Sequence, residues 1–373
     1  MKKILFITGT RADFGKIKSL IRCVDCSEKF EAYVYVTGMH LLEQFGYTYS
    51  EVVKENYKHV YVAFGTRVTN DMSFNLGNTV SELSGYVDNV LPDMIVVHGD
   101  RTDALAGAIV GAFKNIIVAH IEGGEVSGTI DESIRHSISK LAHIHLVCNE
   151  DAKQRLIQMG ENKGHIYVMG SPDIDIMMSR NLPSIAMVKE RYEISFERYG
   201  LLMYHPVTTD VDNISKYIRR ILAALNESKY NYVIIYPNND SGSQIIINEY
   251  KELTGSPKYR IFPSIRFEYF LTLLKNAEFV IGNSSAGVRE ACIYGVPAID
   301  IGTRQTGRYS SQLKNIQHVD HDTEDIKAAI SRVDQFRIHG SDYGDGNSTQ
   351  RFMSIISDSS FWDIDLQKHF VDL

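Results

Sequence analysis

Three carboxylates head the candidate chemistry. Asp100, Glu122 and Asp131 fall within one stretch, VVHGDRTDALAGAIVGAFKNIIVAHIEGGEVSGTIDESIRH, from Val96 to His136. Acids crowded into one low-dielectric crevice can hold opposite protonation states, so that one gives a proton while another takes one. The plainer alternative is that they cap helices in solvent. Three acids converging on one rim, with no compact metal-ligand spacing beside them, favour acid/base work. A second constellation suits an anion. In GNSSAGVRE (Gly282–Glu290) small residues, Gly287 among them, separate an apolar run from a helical one. Backbone amides, the hydroxyls of Ser284 and Ser285, and a helix N-terminus can there meet a diphosphate, and Glu290 can accept from sugar hydroxyls. Arg304 and Arg308 in GTRQTGR add cations. A third constellation is GTRADFGK, where Gly9 to Gly15 precede a helix expected over about 16–23 and Arg11 is shaped for bidentate oxyanion contacts. It is neither a G-x-G-x-x-G fingerprint nor a P-loop, because Ile17 follows Lys16.

These residues need strands to deliver them. Met94–Val97 and Asn115–His120 are apolar and rich in β-formers, with the alanine-rich Thr102–Phe113 between them as a crossover helix, so the unit reads as β-α-β in a parallel sheet. The carboxyl ends of such strands open onto one crevice, which brings Asp100 and Glu122 to the same rim. Asp131 opens the next helical run and returns to it. Met1–Thr8 is a continuous apolar strand, as expected when both faces are buried. Glu31–Thr37 is the second strand, and His40 stands just past its end, either lining the crevice or packed as structure. A third strand is expected from about Tyr57 to Gly65. The alternation restarts after Gly170-Ser171-Pro172-Asp173, read as a hinge, with strand ends at His205, Asn238, Gly282 and Gly302. The expectation is two Rossmann-like doubly wound α/β domains facing a central cleft, residues 1–170 and 171–354, with the final helix of about 355–373 joining the first.

A chain of 373 residues exceeds one ordinary core, and 44% hydrophobic with 23% charged residues is ordinary for a soluble globular protein. The net charge of -7 argues against a nucleic-acid surface. No apolar run reaches the roughly 20 residues that span a bilayer, and MKKILFITGT lacks a cleavage site, so neither a membrane nor export is expected and the chain reads as cytoplasmic. Cys23 and Cys26 have no second pair to complete a zinc site. His98, His120, His136 and His205 match no ligand motif and are read as contacting phosphate or carboxylates, so no metal and no cofactor are expected.

The segments GTRADFGK, VTGMH, HGDR, HIEGGEVSGTIDESIRH, GSPD, HPVTT, YPNND, PSIRFEYF, GNSSAGVREA and GTRQTGR, taken together and in order, resemble the hydrolysing UDP-N-acetylglucosamine 2-epimerases of sialic-acid biosynthesis. Those include bacterial capsule enzymes and the epimerase half of the bifunctional animal enzyme. The resemblance implies a GT-B architecture, release of UDP and N-acetylmannosamine, and Asp100, Glu122 and Asp131 as catalytic carboxylates. It sets Arg11, Asp13, His205, Asn238, Ser284, Ser285, Glu290 and Arg304 around the nucleotide sugar, and His40, Arg101 and Gly287 are counted with them. Phe267 and Tyr269 either contact uracil or belong to the core. A UDP-sugar is the expected partner, and a homo-oligomer, dimer or tetramer, the expected assembly. The non-hydrolysing epimerases continue after HxE as AGLR, whereas Gly123 to Ile130 stand here, which favours hydrolysis. Relatives acting on UDP-N,N'-diacetylbacillosamine share most of these motifs. A GT-B glycosyltransferase and a non-catalytic nucleotide-sugar sensor are the further alternatives.

Overall fold

The computed structural model describes residues 1–69, 71–179, 181–309, 313–340, 343–369 and 371–372. The C-terminal helix expected over about 355–373 lies earlier: a helix spans Ser348–Ser357, a short 3-10 turn follows at Ser359–Trp362, and residues 363–369 are not helical. The chain divides into two compact units. Unit 1 comprises Met1–Glu125, Asp131–Ser179 and Asp342–Leu373; unit 2 comprises Val126–Ile130 and Arg180–Ser341.

Unit 1 is built on seven strands: β1 (Lys2–Thr8), β2 (Phe30–Val36), β3 (His59–Val62), β4 (Met94–His98), β5 (Ile117–Ile121), β6 (Ile144–Val147) and β7 (Ile166–Val168). They pair in the order β3-β2-β1-β4-β5-β6-β7, all parallel. The order reverses between β1 and β4, the switch point at which sheets of this kind bind ligands. The third strand is shorter than expected: Ala63 N still donates to Val36 O (2.9 Å), and the chain then turns at Phe64 and Gly65. Along β1 the side chains alternate between two cores. Ile4 and Phe6 pack with the helix Arg11–Asp25 and with Phe352, while Leu5 and Ile7 pack with the helices on the other face. Both faces being covered is why β1 reads as one apolar run.

Unit 2 repeats the design with β8 (Tyr199–Met203), β9 (Asn231–Ile235), β10 (Tyr259–Phe262), β11 (Phe279–Gly282), β12 (Ala298–Ile301) and β13 (Ile316–Val319). Their order is β10-β9-β8-β11-β12-β13, again parallel. The helix Ile214–Glu227 buries Ile214, Ile218, Ile221, Leu222 and Leu225 on one stripe, and these meet Leu202 and Ile234 of the sheet.

The expected boundary at residue 170 needs correction. Asp175 accepts from the amides of Ser348 (3.0 Å) and Thr349 (2.7 Å), and Ser171 N donates to Tyr343 O (2.8 Å). These bonds carry the helix Pro172–Met177 and everything from residue 342 into unit 1, well before 355. The loop 126–130 goes the other way. Gly128 N donates to Arg304 O (3.0 Å), and a side-chain carbon at Gly128 would run into Thr303 O, so only glycine permits that approach.

Candidate active site

β4 and β5 run in register with His98 beside Ile121, and Gly99 N donates to Ile121 O at 3.0 Å. Asp100 and Glu122 therefore leave neighbouring strand ends. Glu122 has φ +66°, a left-handed conformation that costs a side chain on the order of 1–3 kcal/mol. Its surroundings hold it there. Ser171 Oγ donates to Glu122 Oε1 (3.0 Å), His98 Nε2 stands 3.3 Å from the same oxygen, and Lys16 Nζ 3.7 Å. Asp100 is differently housed. It is ion-paired and hydrogen-bonded to Arg135, whose side chain is 1% exposed and also donates to Glu125 O (3.3 Å). Arg135 lies four residues after the buried Asp131 on the helix Ile130–Leu141, hence on the same face. Asp131 occupies that helix's first turn, where the dipole favours negative charge. The sequence reading passed over Lys16, Arg135 and Ser171; the signal for Arg135 was its spacing from Asp131.

His120, expected to contact phosphate or carboxylates, has both ring nitrogens engaged within unit 1. Its Nδ1 meets Ser139 Oγ (3.0 Å) and its Nε2 meets Gly99 O (2.8 Å), so the ring braces the turn that presents Asp100. Burial drives its pKa down to about 3, which keeps it neutral. Among the described residues no three His, Cys, Asp or Glu side chains are grouped so as to hold a metal ion.

The turn after β1 also departs from its reading. The helix begins at Arg11 rather than Lys16, because Thr10 and Asp13 form a reciprocal cap. Asp13 accepts from Gly9 N (3.0 Å), Thr10 N (2.9 Å), Thr8 Oγ1 (2.8 Å) and Thr10 Oγ1 (3.1 Å). The amides expected to meet an anion already face this internal one, so Asp13 is the cap of its turn. Arg11 pairs with Glu51 at 2.9 Å. His40 is not a crevice residue. It is fully buried, with Nε2 3.0 Å from Thr8 Oγ1 and Nδ1 2.7 Å from Thr48 Oγ1, and burial pulls its pKa to about 4. Arg101 precedes the helix Thr102–Phe113, whose first turn holds the buried Asp103. Desolvation pushes the Asp103 pKa up to about 6 against the pull of Arg101.

In unit 2 the turn expected to meet a diphosphate follows β11. Gly282 has φ +129° and lies so close to β8 that a side chain would collide with Met203 O. Asn283, which the sequence reading did not single out, is the hub. Its Oδ1 accepts from His205 N (2.7 Å), its Nδ2 donates to His205 O (2.9 Å), and its carbonyl accepts from Arg304 Nη1 (3.2 Å) and Gln305 Nε2 (2.8 Å). Ser284 caps the short helix Ser285–Val288 by accepting from Ala286 N, and the chain breaks at Arg289 before resuming helically at Glu290. Arg289, Glu290 and Arg304 are all buried in unit 2. His205 Nδ1 accepts from Asn238 N (3.1 Å), so in the neutral ring the proton sits on Nε2. Asn238 Nδ2 in turn donates to Asp240 (2.5 Å). A Cβ at Gly287 would meet only Val280 and Ala298 at ordinary contact, 3.6 and 3.7 Å, so this glycine serves packing. Phe267 is buried, which favours its core reading, whereas Tyr269 is half-buried and packs edge-on to Tyr192 with Arg191 over its ring.

The model of the UDP-N-acetylglucosamine 2-epimerase family matches residues 23–357. The chain is 49% identical over the full length of both proteins to a UDP-N-acetylglucosamine 2-epimerase of Neisseria meningitidis serogroup B. It is 32% identical to a hydrolysing UDP-N,N'-diacetylbacillosamine 2-epimerase of Legionella pneumophila, over 95% of this chain and 96% of that one. Among solved structures, the UDP-GlcNAc 2-epimerase of Methanocaldococcus jannaschii in complex with UDP-GlcNAc and UDP superposes with a TM-score of 0.82 at 23% identity, covering 95% of this chain and 99% of that chain. A Neisseria meningitidis UDP-GlcNAc 2-epimerase bound to UDP-GlcNAc gives 0.80 at 20% identity, with the same coverage. At such identities the likeness speaks for the fold, and it is the expected α/β fold of the GT-B class.

Proposed function

The chain belongs to the UDP-N-acetylglucosamine 2-epimerase family, and from that membership we propose that it is a hydrolysing epimerase, converting UDP-N-acetylglucosamine and water to N-acetylmannosamine and UDP for the synthesis of a surface sialic acid. The observation that carries this reading is the unequal housing of the unit 1 acids. Asp100 and Asp131 share the neighbourhood of Arg135, whereas Glu122 sits against Lys16, His98 and Ser171. Acids held in different fields can take opposite protonation states, and the reaction needs both.

H2 of the sugar is not next to a carbonyl, so its direct removal as a proton is too hard. Departure of UDP from C1 carries the first step, and a carboxylate takes H2 as positive charge grows at C1, leaving 2-acetamidoglucal. An acid then returns a proton to C2 from the opposite face while water adds at C1. The C1–O bond breaks with its electron pair on the diphosphate, and the final sum consumes one water. Arg304 and the serine turn after β11 would stabilise the leaving diphosphate, with Arg11 as a further cation. Asp100, Glu122 and Asp131 share the proton transfers. The assembly expected for such an enzyme is a homodimer or tetramer working in the cytoplasm without a cofactor.

Incubation with UDP-N-acetylglucosamine in deuterated water, followed by NMR, tests the proposal. Free N-acetylmannosamine carrying deuterium at C2, with stoichiometric UDP, is expected. Epimerised UDP-sugar without release of free sugar would overturn the hydrolytic reading. A second substrate merits the same assay, because the 32% identical relative named above acts on UDP-N,N'-diacetylbacillosamine.

A further inference from the structure

Lys16 stands between two buried acids. Its Nζ is 3.4 Å from Asp173 Oδ2 and 3.7 Å from Glu122 Oε1. Asp173 is 0% exposed, and among the described residues neither of its carboxylate oxygens receives a hydrogen bond. A carboxylate so stripped of water is costly to keep, and its ion-pair partner is Lys16 alone among the described residues. The segment that carries it is firmly built. Ser171, two residues earlier, donates to Glu122, and Asp175, two residues later, is held by Ser348 and Thr349. Charged and titratable groups that bear on Glu122 among the described residues include Lys16 from the helix Arg11–Asp25, His98 from β4, and Asp173 acting through Lys16 from the helix Pro172–Met177.

We propose that Asp173 is a positioning residue that acts through Lys16 on Glu122, drawing the ammonium toward itself so that Glu122 can both hold and release a proton during turnover. This rests on the reading of Glu122 as a catalytic carboxylate. The sign follows from charge. A neutral residue at 173 leaves Lys16 with one fewer negative partner, which favours the ionised form of Glu122 and moves its titration to lower pH.

The test uses the full chain labelled with carboxyl-13C glutamate, the Glu122 resonance being identified by its loss in Glu122→Gln. Asp173→Asn is expected to lower the Glu122 midpoint by about one pH unit. With UDP-N-acetylglucosamine the limb of the pH-rate profile set by Glu122 should move the same way, kcat should fall about tenfold with KM within about twofold, and Asp173→Glu should restore part of the loss. Asp173→Ser serves if the asparagine variant does not fold. An unchanged Glu122 midpoint, with only the melting temperature lowered, would overturn the proposal. If the wild-type chain releases no product, the functional reading fails while the carboxyl titration still decides the role of Asp173.

Discussion

The turns after β1 and after β11 begin alike and end differently. Each follows a buried strand, opens on glycine and leads into a helix, and each carries arginine. In the first, Asp13 folds back and takes the amides of Gly9 and Thr10. In the second, Asn283 spends its side-chain amide on the backbone of His205 and its backbone carbonyl on Arg304 and Gln305, while the carboxylate of Glu290 stands on the helix beyond. A turn whose amides are taken by its own carboxylate has fewer left for an outside anion, whereas the turn after β11 sets neutral amide groups beside arginines. The lesson is that a glycine-rich strand-to-helix turn signals close backbone packing first. Which anion it meets depends on what the neighbouring strands contribute.

The proposed division of labour, proton transfer by the unit 1 acids and diphosphate contacts chiefly by unit 2, can be broken in measurable ways. Asp100→Asn, Glu122→Gln and Asp131→Asn should each cut kcat by about a thousandfold while calorimetric UDP affinity stays within about threefold; collapse of UDP binding in any of them would merge the two roles. Arg304→Met should do the converse, weakening UDP binding by about 10- to 100-fold, the worth of a charge-assisted contact. Acid should weaken unit 1. His40 and His120 are fully buried with pKa values near 4 and 3, below the ordinary 6.5, so the unfolded chain binds more protons between those limits. Stability is then full above about pH 6.5 and is lost as pH falls toward 4, on the order of 3 kcal/mol for His40. Hydrogen exchange at β1 and β2, faster at pH 4.5 than at pH 7 relative to β8 and β11, would register it. Asp13→Asn should lower stability by about 1–3 kcal/mol in urea melts and leave UDP affinity unchanged; a large loss of UDP affinity would return the β1 turn to anion binding. Gly287→Ala should have the smallest effect, within about 0.5 kcal/mol, since the added carbon meets only ordinary contacts.

The strands were legible because both faces of each sheet are covered, which writes every inner strand as an apolar run ending in polar residues. Legibility failed where a side chain satisfies backbone nearby or far away. Asp13 turned an apparent loop into the first turn of a helix, and Asp175 carried the segment around it into unit 1 through partners 173 and 174 residues downstream. His40 illustrates the same failure, since its two hydroxyl partners come from Thr8 and Thr48 and no local pattern announces them.

The sequence by itself determined the α/β alternation and the strand ends on which Asp100, Glu122, Asn283 and Arg304 stand, because periodicity and glycine placement act over a few residues; the family came from the resemblance of its motifs, taken in order. Tertiary structure alone decided which acid is paired with Arg135 and which with Lys16, that the β1 turn holds its own carboxylate, and that Asp173 shares an ammonium with Glu122. The reason is physical. A side chain's charge state and its hydrogen-bond partners are set by whatever packs within a few ångströms, and those neighbours come from segments far apart along the chain.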